Sequence, residues 1–104
     1  MKFFVPSQKQ TLKSKSIDLD RVALTLIDGK RRFITHGVSL SITHSEITPD
    51  GQTERRDFTL HSKRGTVPAN LISFIRGYLL ERGWEFSGGG TLDRGVWEGV
   101  FTKT

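Results

Sequence analysis

At 104 residues the chain has room for one small domain. It carries 16 Lys and Arg against 11 Asp and Glu, a formal charge of +5, and no cysteine. Those counts exclude a disulfide framework, a thiolate metal site, a cysteine nucleophile and an iron–sulfur cluster. No apolar run approaches the roughly 20 residues of a membrane span. The start, Met1 to Pro6, is too short for the apolar core of a signal peptide. The expectation is one domain over residues 1–104, soluble and cytoplasmic, with no membrane partner.

Phe3-Phe4-Val5 reads as a short strand closed by Pro6, which donates no backbone hydrogen bond. Residues 7–16 are polar and carry Lys9, Lys13 and Lys15, the composition of a flexible basic arm or linker.

Two successive hairpins are expected next. Val22, Leu24 and Leu26 alternate with Ala23 and Thr25, Asp28-Gly29 makes a tight turn, and Lys30 to Thr35 returns. That turn pairs Leu24 with Phe33 and Val22 with Thr35, so both apolar sets share a face. In the second hairpin Val38, Leu40 and Ile42 face Phe58 and Leu60. A three-residue loop, Pro49-Asp50 followed by a left-handed Gly51, pairs Thr48 with Gln52, Ile42 with Phe58 and Leu40 with Leu60. The opposite face then holds Ser39, Ser41, Thr43, Ser45, Arg55, Asp57, Thr59 and His61.

Thr66 is the expected cap of a helix over about 67–82, with a stripe of Leu71, Ile72, Ile75, Tyr78 and Leu79 and a terminating Gly83. Gly77 inside that helix points to close packing there. Trp84 to Phe86 reads as a strand, Gly88-Gly89-Gly90 as a loop and Val96 to Thr102 as a last strand. The fold class is α+β: a mainly antiparallel sheet of about five or six strands, one helix on its apolar face, then a C-terminal hairpin. Four strands followed by a helix, behind a basic arm and over about residues 20–82, resemble in element order the Whirly and transcriptional-coactivator group of single-strand binders. No residue role follows from that resemblance.

Catalytic constellations are not apparent. His44 and His61 fall on opposite faces in the expected register, and no HxH or HxxxH spacing occurs. Asp18/Asp20 and Glu54/Asp57 are spacings of any polar stretch, and Gly88 to Thr91 lacks the Gly-Lys-Ser/Thr of a phosphate loop. No catalytic residue, metal or cofactor is expected, and the chain is read as non-enzymatic.

Charge is the informative feature. From residue 66 onward four basic and four acidic side chains cancel, so the whole excess lies in the first 65 residues. Lys30, Arg32, Arg55, Lys63 and Arg64, with Lys9, Lys13 and Lys15 of the arm, are the candidate partner- or phosphate-binding residues. Arg32 and Arg55 are expected on a common hydroxyl-rich face. Stacking rings are missing from that face, because Phe33, Phe58 and Tyr78 fall on apolar faces and Trp84 and Trp97 read as core.

The leading expectation is therefore a protein-interaction module, an inhibitor or adaptor of the phage or mobile-element type. It would bind its partner through the basic face or an exposed edge strand at Val96 to Phe101, which could also make a homodimer. The alternative is a nucleic-acid-binding protein contacting the phosphate backbone with the same Lys and Arg.

Overall fold

Asp18 opens a helix where an alternating strand was expected. In the computed structural model, which describes residues 17–104, α1 spans Leu19–Asp28. The Asp18 carboxylate accepts the Arg21 amide at 3.1 Å, an N-cap bond. At the other end Gly29 takes a left-handed conformation (φ 77°) and donates its amide to Thr25 O. The run from Val22 to Ile27 fits either a two-residue or a helical period. The caps decide for the helix, and Val22, Thr25 and Leu26 form its buried stripe while Leu24 and Ile27 face outward. Asp28-Gly29 does need a positive φ, but as a helix terminator rather than a hairpin turn. The first expected hairpin is absent, and with it the element order that resembled the Whirly and coactivator group.

Six further elements follow: β1 (Arg32–Thr35), β2 (Val38–Ile47), β3 (Glu54–Ser62), α2 (Ala69–Leu80), β4 (Glu85–Asp93) and β5 (Val96–Lys103). The strands form one antiparallel sheet in the order β1-β2-β3-β5-β4. The class is α+β as expected, with two helices among the described residues where one was expected. Both contribute to a single core with the sheet: Val22 and Leu26 from α1, Leu71, Ile75 and Leu79 from α2, against Ile34, Leu40, Phe58, Leu60, Trp97 and Phe101. The other sheet face carries neither helix. Residues 1–16, including the expected strand, the arm, Lys9, Lys13 and Lys15, lie outside the described residues.

The inner half of the β2–β3 ladder pairs Leu40 with Leu60 and Ile42 with Phe58, as the pleat requires. Beyond it the register slips by one at a bulge, where Thr43 is the extra residue and His44 pairs with Asp57. The loop compensates. Gly51 is left-handed (φ 73°), but Thr48 bonds Thr53 rather than facing Gln52, a loop one residue longer than expected. Past the bulge the faces exchange: Ser45 moves to the helix side with Arg56, and His44 and Glu46 join Asp57 and Arg55 on the free side. His44 and His61 therefore share a face, contrary to expectation.

Pro68, not Thr66, precedes α2, and no side chain caps it. Its C-terminus has the expected glycine: Gly83 is left-handed (φ 91°), with Trp84 N donating to Leu79 O and Gly83 N to Leu80 O. Gly77 has open space around it, so close packing does not explain it. Gly88 to Gly90 lie inside β4, not in a loop, opposite Val100, Gly99 and Glu98. A Cβ on Gly99 would run into the Trp97 and Phe101 rings, and one on Gly89 into the Glu98 backbone. The missing side chain of Gly99 makes room for the Trp97 ring, which is stacked on Phe86 at 6.4 Å. β5 sits between β3 and β4, so Val96 to Phe101 is not an edge; among the described strands the edges are β1 and β4.

Candidate binding face

The sheet face turned away from both described helices is set by strand parity. Leu40, Phe58, Leu60, Trp97 and Phe101 point toward the helices, so their strand neighbours Ser39, Ser41, Thr59, His61, Glu98 and Val100 line the other side. Thr43 extends that hydroxyl row through its bulge, its Oγ1 lying 3.2 Å from Thr59 Oγ1. Of the hydroxyls expected on this side, Ser39, Ser41, Thr43 and Thr59 lie on it, and Ser45 does not.

The charges divide the face into two ends. At the far end Arg55 donates Nε and Nη2 to the two oxygens of Asp57, both at 2.9 Å, with Glu46 as cross-strand neighbour. Asp57 is buried to 7% exposure, and its carboxylate holds the Arg55 guanidinium above its ordinary pKa, first by hydrogen bonding and then by charge. His44 bonds Glu46. Arg55 is thus occupied within the sheet.

At the near end, where β1 meets β2, the balance reverses. β1 pairs with β2 through a bulge at Ile34, giving Phe33↔Ser39 and Arg32↔Leu40. Ile34 is fully buried and Phe33 is 58% exposed on the free face. The expectation that Phe33 belongs to the core fails because its assumed partner strand is α1, so β1 turns its other side inward. Around the ring stand Arg31, whose Nη2 donates to Ser39 Oγ at 3.2 Å, and Lys63, whose Nζ lies 6.0 Å from the ring centroid. Ser39 and His61 complete the cross-strand row. Ser39 is only 4% exposed although neither described helix packs on its strand face.

Arg64 follows Lys63 and lines a cleft of about 310 Å³ with His36, Thr66 and Asn70. Its Cγ packs near Gly37. Among the described residues Arg31, Lys63 and Arg64 form no ion pair, whereas Arg21, Arg32, Arg55 and Arg56 each do.

The expected site residues separate accordingly. Lys63 stands beside Phe33 at the near end, whereas Arg64, next in sequence, turns to the cleft with His36 and Asn70. Lys30 is exposed in the connection after α1. Arg32 is on the helix side of the sheet, paired with Asp28 of α1, so it shares no face with Arg55. Arg31 and Phe33 were missed. Both belong to the odd-numbered side of the 31–35 segment, and that side reads as outward only once α1 is known to be helical. Trp84 and Trp97 are core as expected, Trp84 lying beneath Arg56 and Lys103.

Among the described residues no three His, Asp or Glu side chains cluster as metal ligands, and no helix is long and apolar enough to cross a membrane. No protein-family model, curated protein or solved structure matches the chain. Functional assignment therefore rests on this surface.

Proposed function

We propose that the chain is a small non-enzymatic binding module whose partner is nucleic acid, held at the near end of the sheet face turned away from both described helices. The observation that carries this reading is that Arg31 and Lys63, on either side of Phe33, have no acidic partner among the described residues, and neither does Arg64, next in sequence at the mouth of the adjoining cleft. Cations already neutralised inside the fold, such as Arg55, have little left to offer a phosphate. Unpaired ones beside hydroxyls can make charge-assisted bonds to a backbone and release its counterions. The sheet holds them in place, since Arg31 is anchored on Ser39 and the Lys63 amide bonds Gly37 O at 2.9 Å.

Fluorescence anisotropy of labelled DNA and RNA at about 50 and 200 mM salt tests the reading. Three phosphate contacts on a single strand should cost roughly 20-fold in affinity between those conditions. Charge reversal of Arg31 and Lys63 together should abolish binding, while reversal of Arg55 should leave it. Absence of binding at low salt would refute the assignment.

A second reading, a protein-interaction module, is favoured by β4. Among the described residues no strand pairs with the outer side of this nine-residue strand, Glu85–Asp93, so its backbone can take up another strand. A partner protein or a second copy pairing there would remain bound at 200 mM salt, which sedimentation analysis would reveal.

A further inference from the structure

We infer that the nucleic acid is single-stranded, with one base stacked on the Phe33 ring and the adjoining phosphates held by Arg31 and Lys63; this deepens the reading above and rests on it. Phe33 is the one aromatic ring among the large hydrophobic side chains that the described structure leaves exposed. The others are aliphatic: Leu24, Ile27 and Leu80 on helices, Ile47 and Leu92 near strand ends. Its position is fixed rather than incidental. Buried Ile34 and the pairing of Phe33 with Ser39 hold the ring on the free face.

The chemistry around the ring fits one nucleotide unit. A base offers an apolar π-face joined to an anionic phosphate, and here a π-face stands beside two cations on a sheet. Lys63 reaches over the ring at the limit of cation–π distance, so it can turn to a phosphate without breaking an ion pair. A duplex buries its base faces in its own stack. It would present only phosphates and leave the ring without a partner.

The test compares a labelled oligothymidylate with a hairpin duplex of equal phosphate number, against wild type, Phe33→Ala, Phe33→Leu and Phe33→Trp. Circular dichroism checks that each variant folds. The wild type should prefer the single strand. Phe33→Ala and Phe33→Leu should each lose about 5- to 150-fold on it, with duplex binding and salt slope unchanged, and Phe33→Trp should retain it. Equal losses on both ligands, no loss, or full binding by Phe33→Leu would overturn stacking while leaving phosphate contact in place. Failure of every ligand to bind at low salt would overturn both, and would turn attention to a protein partner on this face.

Discussion

Phe33 and Ser39 face one another across the β1–β2 ladder, yet the ring is mostly in water and the serine almost entirely out of it. The serine hydroxyl accepts from Arg31, which helps to close the face over it. The same strand therefore presents an exposed aromatic and, one residue on, a core residue with no exposure at all, Ile34.

Stability should follow that orientation. Ile34→Ala is expected to cost about 2–5 kcal/mol through the cavity it leaves. Phe33→Ala should stay within about 0.5 kcal/mol, as at other surface positions. Urea unfolding of the two variants measures both, and the reverse ranking would mean that β1 faces the other way.

The caps of α1 are a second point of measurement. Asp18→Ala removes the acceptor for the Arg21 amide and should destabilise by about 1 kcal/mol. Gly29→Ala forces an L side chain into a left-handed conformation, with its Cβ 3.0 Å from Ile42 Cδ1. A further loss of about 1 kcal/mol or more is expected. A hairpin in place of α1 would instead leave Asp18→Ala without effect on the far-ultraviolet dichroism.

Two other glycines should behave oppositely. Gly99→Ala drives a methyl into the Trp97 and Phe101 rings and should cost about 1–3 kcal/mol or more, with altered near-ultraviolet dichroism. Gly77→Ala, in the middle of α2 with open space around it, should stabilise by about 1 kcal/mol. Thermal melts of the pair check the contrast.

The β2–β3 loop carries a pH signature. The Thr48 hydroxyl at 2.5 Å and the Gln52 amide at 2.9 Å both donate to Asp50, and hold its carboxyl below the ordinary aspartate value. A lowered folded-state value means that the loop is favoured above the unfolded-state value, and that this favour is lost as pH falls through the folded one. Thr48→Val removes the larger cause and should move the Asp50 midpoint upward in a carboxyl-resolved NMR titration. An unmoved midpoint would deny the hydroxyl that role.

What the sequence discloses of this fold depends on how many constraints meet at each residue. Leu40 opposite Leu60 and Ile42 opposite Phe58 are legible because two long alternating strands must agree on one buried face. The stripe of α2 is legible for the same reason, its period being helical only. Val22 to Ile27 satisfies both periods, and the deciding features are Asp18 and Gly29 at its ends. That ambiguity carries into β1, where four residues take their facing from whatever they pack on. Phe33 thereby changes from presumed core to the exposed ring of the candidate face. The bulge at Thr43 has no local signal: an extra residue in a strand and a longer loop offset one another, and the pairs on either side stay plausible. Lys63 and Arg64 were visible as a basic pair, but their freedom from acidic neighbours is a property of the folded arrangement.

The strand order has a kinetic consequence. Every seam of the sheet joins strands consecutive in the chain except β3 against β5, between which the chain makes α2 and β4. The α1-β1-β2-β3 part and the β4–β5 hairpin can each form from near neighbours, and the molecule is completed when the hairpin docks on β3. Until then β3 and β5 both present open edges, and a hairpin from another copy fits β3 as well as its own does. Refolding at high concentration should therefore yield exchanged dimers that, once formed, separate only by unfolding.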